Sequence, residues 1–504
     1  MLAISADAQD AFDAGDISSS DLNGTARFVG MGGALSALGA DISTMSTNPA
    51  GTGLYRRSEF NMSLSGQFTD EGQLGHDAAR MSFDNIGILC AFEMDDSGEG
   101  LQYFNFGFNY VKKRNHLANA FVNVSGLNGM FSQTYQIADY ANLSNQTNSW
   151  GLLTDLACSS SNHAGILYED NVNNEIVYNG QSAASGQYRR ACYGSTSEAD
   201  FNFSLNFSDK FFFGASLGIY NIDYTRESAY MEVASSADAY AYEIYNWAEN
   251  SGEGVDVKLG MILRPFEDSP FRIGFSVHTP TWYRMTLANG ATMCYDVDPS
   301  NHSYGQAYYL VSSDYEYSFR TPWKLDASLG YTIGKNFAIG LEYEMCDMGS
   351  ARYSSLDDSH YSEDYVYFRE VNDIISSTFK TQHTFKAGLE YKPIDDVSVR
   401  FGYNYVSSPF CKDGYRRELS YGGYATETDW TYWKAINRFT VGLGFKISSS
   451  SYLDFTYMAQ FQKGDFYAFN DYYLDEATGI TRYLPSSEIK NDRSQLMATF
   501  GVRF

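Results

Sequence analysis

The chain closes on the stretch QLMATFGVRF, residues 495–504, in which every second side chain is apolar. The apolar positions are Leu496, Ala498, Phe500, Val502 and the terminal Phe504. Because side chains of a strand point alternately to its two faces, this period of two predicts a strand with one apolar face. Such a strand at the end of a chain is typical of a barrel that closes its sheet inside a membrane, where the outer face must be apolar.

The same alternation returns upstream. Phe439, Val441 and Leu443, for instance, alternate with Thr440 and Gly442. The predicted strands span residues 58–69, 78–94, 101–113, 194–207, 211–226, 253–264, 271–287, 308–333, 337–348, 379–392, 397–408, 432–447, 452–466 and 489–504. Most of them exceed the ~9–11 residues that cross the apolar band of a bilayer. The sequence therefore predicts an all-β fold, a transmembrane antiparallel β-barrel of fourteen strands.

Short and long connections alternate between these strands. The short joints are rich in turn-forming residues and lie near residues 95–100, 208–210, 265–270, 334–336, 393–396 and 448–451. The long connections span about 70–77, 114–193, 227–252, 288–307, 349–378, 409–431 and 467–488. Tight periplasmic turns with long outside loops are typical of barrels in the outer membrane of a Gram-negative bacterium. A soluble β-sandwich, the alternative, would have shorter strands and no such alternation.

Composition excludes several classes of protein. Aromatic residues make up 16% of the 504 residues, and no apolar run approaches the ~18 residues of a membrane-spanning helix. A net charge of -26 makes nucleic acid an unsuitable partner, because binding it requires clustered Lys and Arg. No nucleophile–base pair or metal-ligand spacing stands out, and the six cysteines leave disulfide pairing open. We therefore expect no enzyme, no cofactor and no bound metal.

Charged side chains fall on the strand rows opposite to the apolar ones. They include Asp256, Lys258, Lys324, Asp326, Glu342, Glu344, Lys386, Glu390, Arg400, Arg438 and Asp454. A charge that faces lipid at mid-membrane costs ~2–4 kcal/mol, whereas charges that face the lumen can pair across strands. These rows predict a polar lumen.

The segment before the first predicted strand does not alternate. Residues 1–8 end in a small-x-small cleavage pattern and are interpreted as the remnant of a signal peptide. Residues 9–57 are rich in Gly and Ala, which permits tight packing of short helices and turns. Because fourteen strands enclose a lumen too wide for side chains alone to fill, we expect residues 9–57, here called the hatch, to plug the barrel of residues 58–504.

Several motifs are shared with a known family. They are Gly30 to Ala34, Ala37 to Ser43, Asn48-Pro49-Ala50-Gly51, Phe104 to Phe108, Arg264-Pro265, His278 to Tyr283 and Phe319 to Lys324. Taken together, the chain resembles the FadL-type outer-membrane transporters of hydrophobic compounds, most of all a Bacteroidetes-like branch. The resemblance implies a fourteen-stranded barrel with an N-terminal hatch in its lumen.

The resemblance also implies a function. Long-chain fatty acids or similar apolar molecules would be captured at the outside loops, pass a hatch-gated lumen and leave through a lateral opening in the wall near Gly107. Asn48, Pro49, Ala50 and Gly51 carry over as the gating motif of the hatch. The expected partners are a hydrophobic small molecule, outer-membrane lipid, and the barrel-assembly machinery acting on Phe504.

Candidate substrate contacts fall in two predicted loop helices and among the lumen cations. One helix, within residues 147–157 of the loop 114–193, would present Trp150, Leu153 and Leu156. The other, within residues 236–250 of the loop 227–252, would present Trp247 at helical spacing. Arg27 with its neighbour Phe28 in the hatch, and Arg400 and Arg438 in the wall, could bind a fatty-acid carboxylate. Loop packing and wall ion pairs are the simpler roles for the same residues.

Two other uses of such a barrel stay open. One is a protein-interaction platform of the type IX secretion system, which would hold a protein partner through the outside loops. The other is a surface adhesin. Transport requires a connected route past the hatch, whereas a platform requires only a sealed wall and exposed loop surfaces.

Overall fold

The computed structural model describes residues 11–94, 99–127, 132–133, 156, 167–170, 175–178, 183–234, 241–297, 306–311, 315–356, 363–412, 428–469, 472–475 and 480–504. The helices are α1 Ala11–Ser18, α2 Ala26–Gly30 and α3 Glu363–Thr378, with 3₁₀ helices at Ile42–Ser46, Pro49–Leu54 and Met348–Ser350. None of the described helices is both long enough and apolar enough to cross a membrane.

Strands make up most of the described chain. In chain order they are β1 Glu59–Phe68, β2 Ala79–Glu93, β3 Leu101–Asn115, β4 Ala118–Val124, β5 Leu167–Asp170, β6 Glu175–Tyr178, β7 Ala183–Phe207, β8 Phe211–Ala234, β9 Ala241–Leu263, β10 Arg272–His278, β11 Trp282–Val297, β12 Gln306–Val311, β13 Tyr315–Arg320, β14 Lys324–Ile333, β15 Phe337–Asp347, β16 Arg352–Ser355, β17 Thr381–Ile394, β18 Val397–Val406, β19 Trp430–Lys446, β20 Ser451–Tyr467, β21 Tyr472–Asp475, β22 Ile480–Tyr483, β23 Ser487–Lys490 and β24 Arg493–Arg503.

The wall is a closed antiparallel cylinder with fourteen strand positions. Its order is β1, β2, β3, β7, β8, β9, β10 with β11, β14 with β13, β15, β17, β18, β19, β20 and β24. The terminal stretch closes the ring, because β24 pairs with β1 from Arg503 opposite Glu59 to Ser494 opposite Phe68. The predicted fold class is confirmed.

The outer face of the cylinder carries an apolar belt, as the alternation predicts. On the closing strand Leu496 and Phe500 are exposed, whereas Met497 and Thr499 between them are buried. The predicted lumen charges lie on the opposite face, and Lys258, Arg400 and Asp454 are buried there. An apolar belt around a polar interior suits a barrel in lipid, and the protein is an outer-membrane barrel.

Three wall strands, β7, β8 and β9, extend far beyond the belt on the side of the long loops. On β9 the outward residues change from Val257 and Val255 to Glu253 and Glu249, which marks the upper edge of the belt. The helix predicted within residues 236–250 is wrong for the described part, since β9 begins at Ala241 and pairs with both β8 and β11. Pairing on two sides outweighs the short helical spacing on which that prediction depended.

Two predicted strands are broken where proline occurs. The predicted strand 271–287 is divided into β10 and β11 around Pro280, and the predicted strand 308–333 breaks between β13 and β14 around Pro322. Proline has no N–H to donate to a neighbouring strand. The two breaks lie side by side, and Thr281 and Thr321 hydrogen-bond to each other across them. Exposed Trp282 and Trp323 flank the breaks, as expected at a lipid–water interface.

One helix was not predicted. α3 lies within the connection 349–378 and buries Phe368, Val371 and Ile375, a helical spacing of three and four residues. Together with α1, it forms an apolar cluster near the extracellular end of the lumen. Phe12 of α1 packs in that cluster against Phe410, with ring centroids 5.7 Å apart. The outside end of the lumen is thus covered by helices from two different parts of the chain.

Cysteine pairing stays undecided in part. Cys90, Cys192, Cys294, Cys346 and Cys411 are free thiols. Cys158 lies outside the described residues.

Candidate functional site

The described part of the hatch lies inside the cylinder and is almost entirely buried. It packs against the wall through a set of inward-facing glycines, at which a Cβ atom would meet hatch atoms. They are Gly87, Gly107, Gly214, Gly260, Gly274, Gly330, Gly340, Gly388, Gly402 and Gly442. Four of these, Gly330, Gly340, Gly388 and Gly402, stand directly opposite one another on neighbouring strands.

The hatch backbone runs along this glycine row at close range. A Cβ on Gly330 would lie 3.1 Å from the amide nitrogen of Leu38, and one on Gly402 would collide with the amide nitrogen of Gly32. Such approach requires a residue without a side chain. The glycine row therefore fixes the hatch against the wall through backbone contacts.

The predicted gating motif forms a defined turn against the wall. Asn48 caps the 3₁₀ helix Pro49–Leu54, because its Oδ1 accepts a hydrogen bond from the Ala50 N–H at 3.1 Å. Its Nδ2 donates to the Met261 carbonyl of β9 at 3.4 Å. The Gly51 N–H in turn donates to the Asn48 carbonyl at 2.9 Å. The turn thus joins the hatch to β9, and its gating role stays a prediction.

Two of the predicted substrate cations are held in ion pairs. Arg27 and Arg400 both donate to Glu390 Oε2, at 3.1 Å and 2.7 Å. Arg400 also donates to Asp454 Oδ1 at 2.7 Å. Phe28, next to Arg27, is buried in the apolar cluster of the hatch. This geometry favours a role in joining the hatch to the wall, and a substrate contact by these residues stays a prediction.

An upper cavity of about 120 Å³ lies between α1 and the extracellular part of the wall. Aromatic and apolar side chains form part of its lining, among them Phe379, Phe410, Trp433 and Ile436. Five arginines form another part: Arg114, Arg190, Arg226, Arg438 and Arg493. The cavity is therefore amphipathic and could hold an apolar chain with an anionic head group.

His116 adds no positive charge to that lining. Burial, and then the charge of Arg114, lower its pKa well below the ordinary value. Its ring stacks on Tyr224 with the centroids 4.4 Å apart, and its Nε2 lies 3.0 Å from Thr196 Oγ1. The positive charge of the upper cavity is therefore that of the arginines.

A lower cavity of about 110 Å³ lies between the upper cavity and the body of the hatch. Phe28, Ser46 and Thr47 of the hatch line it, together with His278 and Lys386 of the wall. Residues 19–21 and Arg438 line both cavities. Of the three predicted cations, Arg438 is the one that lines both cavities.

A side branch of about 20 Å³ leaves this region at the extracellular ends of β1 and β24. Leu22, Leu117 and Met458 line it, and it reaches Phe68, whose side chain is half exposed on the outer face. It also shares Asp21 and Arg493 with the upper cavity. This small space therefore lies between residues that line the lumen and a side chain on the outer surface of the barrel.

The wall beside Gly107 is closed in this structure. Gly107 is paired with Leu89 of β2 on one side and with Asn202 of β7 on the other. Met45 of the hatch covers its inner face. A lateral opening at Gly107 thus requires movement of both the hatch and a wall strand, and it stays a prediction.

The predicted loop contacts are not brought together at the cavity. Trp150 and Leu153 lie outside the described residues, and Leu156 is buried. Trp247 faces the outside of β9, where its indole covers Gly290 of β11. The cavity arginines other than Arg438 were missed. Arg114 and Arg190 lie in the predicted loop 114–193, and Arg226 and Arg493 lie near the ends of predicted strands, outside the part that alternates clearly.

Two solved structures share this architecture over nearly the whole chain. One is the CymD monoaromatic hydrocarbon channel, with a TM-score of 0.51 and 10% identity over 96% of this chain and 99% of that chain. The other is a Pseudomonas aeruginosa FadL homologue, with a TM-score of 0.51 and 12% identity over the same shares. The chain has the FadL-type barrel fold.

Similarity at this level of identity establishes the fold alone. No protein-family model and no curated protein sequence matches the chain. The predicted resemblance to FadL-type barrels is confirmed as a likeness of fold, and the Bacteroidetes-like branch stays a prediction. Among the described residues, no group of three or more His, Cys, Asp or Glu side chains is arranged to hold a metal ion.

Proposed function

We propose that the protein is a hatch-gated outer-membrane channel, not an enzyme, for the uptake of hydrophobic compounds that carry an acidic head group, such as long-chain fatty acids. One observation carries this proposal. The upper and lower cavities follow one another inside a FadL-type barrel and end at the hatch, and Arg438 lines both. The similar solved structures include a monoaromatic hydrocarbon channel, which supports passage of apolar molecules through this fold.

The upper cavity supports an acidic head group in addition to an apolar tail. Each of the cavity arginines has a carboxylate partner in the structure: Asp13, Asp16, Asp21 or Asp429. A solute that takes the place of such a carboxylate must carry an anion of its own, because an unpaired guanidinium group is unfavourable in a site shielded from water. A fatty acid can place its carboxylate among the arginines and its tail against Phe379, Phe410 and Trp433. Arg27 and Arg400 then act on the hatch through Glu390 and do not contact the substrate.

Release is proposed to be lateral. The side branch between the ends of β1 and β24 is the favoured exit, because it already contains space and leads to half-exposed Phe68. An exit at Gly107 is the alternative, and it requires Met45 to withdraw and the pairing of β3 to open. In either case, an apolar molecule would leave toward the lipid and avoid a polar leaflet surface.

Uptake of radiolabelled oleate by a deletion strain, with and without the gene restored, tests the proposal. We expect uptake to depend on the gene. We further expect Asn48→Ala to lower uptake by about fivefold without unfolding the barrel, because loss of a cap costs ~0.5–2 kcal/mol and the turn no longer has one defined position.

Asn336→Ala is the matched control for that experiment. Asn336 lies in an exposed short turn, where its Nδ2 donates to the Lys392 carbonyl at 2.8 Å. Equal uptake by Asn48→Ala and Asn336→Ala would remove the motif from gating. Unchanged oleate uptake after deletion of the gene would overturn the transport proposal and favour the interaction platform.

A further inference from the structure

Two arginines lie next to each other on the outer face of the sheet, at its extracellular end. Arg320 ends β13 and Arg352 begins β16, and strand pairing places the two residues directly opposite each other. Their chain neighbours Phe319 and Tyr353 point into the barrel, where the two ring centroids are 4.8 Å apart. Because side chains alternate between the two faces of a strand, both arginines point outward. Arg320 and Arg352 are here called the arginine pair.

Among the described residues, no carboxylate forms an ion pair with either member of the arginine pair. Asp347 and Asp373 act on Arg352 only through longer-range attraction. Partial burial, and then the charge of Arg320, lower the pKa of Arg352 below its ordinary value. Two like charges that stand directly opposite each other destabilise a sheet. The arginine pair is therefore an arrangement that a bound anion would stabilise.

The guanidinium group of Arg352 is held in place beside the sheet. Its Nη1 donates to the Gly349 carbonyl at 2.7 Å and to the Ala351 carbonyl at 2.6 Å. An arginine side chain has further N–H donors in the same planar fork. A ligand at this position would thus meet a guanidinium group whose direction is already fixed, which lowers the entropic cost of binding.

The height of the arginine pair on the wall follows from the register. Strand pairing places Arg320 opposite Trp282 of β11, and Trp282 in turn opposite Val255 of β9. Val255 is the last apolar outward residue of β9 before Glu253, so this row follows the upper edge of the belt. Trp282 and Trp323 are exposed there, and tryptophan is enriched at the boundary between lipid and water. The arginine pair therefore lies at the level of the lipid head groups.

Apolar surface lies directly below the arginine pair. β13 and β14 occupy one strand position of the wall, so the outward residues of β14 continue the row of Arg320 toward mid-membrane. Trp323, Leu325 and Leu329 are exposed on that row. Acyl chains cover such a surface in a membrane. The molecules beside the arginine pair are therefore lipids, and the anionic part of a lipid at this height is its head group.

We propose that the arginine pair binds the phosphate head group of a lipid in the outer leaflet, whose acyl chains lie along Trp323, Leu325 and Leu329. A phosphate group can accept hydrogen bonds from both guanidinium groups at once and removes the repulsion between them. The ligand class is a phosphorylated, acylated lipid. This inference does not depend on the proposed function, because it concerns the outer face of the wall and not its lumen.

The experiment measures binding of diphosphoryl lipid A to the full chain in detergent micelles by native mass spectrometry. Dephosphorylated lipid A and inorganic pyrophosphate are the other two probes, which separate the contribution of the acyl chains from that of the phosphate groups. We expect Arg320→Gln/Arg352→Gln to bind diphosphoryl lipid A about tenfold more weakly than the unmodified chain, because the lost hydrogen bonds are charge-assisted. Binding of the dephosphorylated probe should be the same for both proteins.

Arg284→Gln is the matched control. Arg284 lies on the same outer face, but its Nη2 already has Glu316 Oε2 as a partner at 2.7 Å. We expect this variant to bind diphosphoryl lipid A with an affinity within about twofold of that of the unmodified chain. An equal loss in the control and in the double variant would contradict the inference, since it would reflect the net charge of the surface alone.

Unchanged affinity of the double variant for diphosphoryl lipid A would overturn the inference. Equally tight binding of pyrophosphate would do the same, because the site would then take a free anion and not a lipid. If the double variant does not fold, hydrogen exchange of the unmodified chain decides. Diphosphoryl lipid A must slow exchange in Tyr315–Arg320 and Arg352–Ser355 relative to the dephosphorylated probe, and equal exchange with both probes would exclude the site.

Discussion

At the scale of single residues, close contact between hatch and wall depends on wall glycines, which have no side chain. A β-carbon on Gly388 would collide with the Met31 carbonyl oxygen, and one on Gly442 would lie 3.4 Å from Gly30 Cα. Backbone therefore meets backbone, and the hatch cannot shift along the wall without meeting larger residues. A hydrogen bond adds to this contact, because the short amide side chain of Asn48 donates to the Met261 carbonyl of β9.

Gly402→Ala tests this close approach. The added methyl group collides with the Gly32 amide nitrogen, so we expect overpacking of about 1–3 kcal/mol at the hatch. The barrel should remain folded and its single-channel conductance in planar bilayers should rise, because a displaced hatch leaves space at the wall.

Gly66→Ala is the matched control for that change. A Cβ at Gly66 lies on the outer face at an ordinary 3.5 Å from the Phe68 ring, so this variant should conduct as the unmodified channel does. Equal conductance of the two variants would show that the hatch tolerates a methyl group at the glycine row.

The glycine row was present in the sequence without being recognised. Gly340, Gly388 and Gly402 interrupt strand patterns that otherwise predict well, and an isolated glycine in a strand indicates close approach of another backbone. The sequence alone does not tell which backbone approaches, because this depends on the register of the paired strands. Only strand pairing places Gly340, Gly388 and Gly402 opposite one another.

At the scale of elements, the alternation of apolar and polar residues predicted strands reliably within the belt and poorly above it. Inside lipid one face of each strand must be apolar, so strands such as β18 and β24 can be predicted from their alternating sequence. Above the belt both faces meet water or packed loops, and the alternation is lost. The first part of β9 was therefore predicted as a helix, and α3 was missed although Phe368, Val371 and Ile375 follow helical spacing.

Asn372 of α3 offers a test of how firmly this helix covers the lumen. Its side chain accepts from the Tyr353 N–H at 2.8 Å and donates to the Tyr353 carbonyl at 2.9 Å, which pins α3 to β16. Asn372→Ala should cost about 1–3 kcal/mol locally, because two backbone groups lose their partner. Hydrogen exchange across Glu363–Thr378 should rise, with the belt strands unchanged.

Asp373→Ala, at the exposed neighbour on the same helix, should leave exchange in α3 at its original level. If both variants exchange alike, the contact to Tyr353 does not hold the helix in place.

At the scale of the whole molecule, the class of barrel and the presence of a hatch follow from physical constraints that act on every strand. The bilayer demands an apolar outer row and a closed sheet, and both leave a trace in the sequence. The cavities leave no such trace. Arg114 and Arg226 meet Asp16 and Asp13 only because loops, strand extensions and the first residues of the chain converge, and no periodicity encodes that convergence.

Leu443→Lys tests the belt directly. Leu443 faces lipid on β19, so the change should lower the free energy of unfolding from lipid vesicles by about 2–4 kcal/mol near mid-membrane. The measurement is reversible unfolding in urea, followed by tryptophan fluorescence.

Glu253→Lys supplies the comparison, because Glu253 points outward on β9 above the belt. We expect a change of at most about 1 kcal/mol there. A similar loss at both positions would mean that the belt does not end where the outward residues become charged.

The pairing of β24 with β1 has a consequence for biogenesis. Neither strand has its second neighbour until the last residues are delivered, so this seam cannot be the first joint of the cylinder to form. Residues of the hatch meanwhile bond to late strands, since the Ala26 N–H donates to Thr499 Oγ1 at 2.7 Å. The seam between the two ends of the sheet and this last contact of the hatch therefore depend on the same strand, and both can form only once β24 has been synthesised.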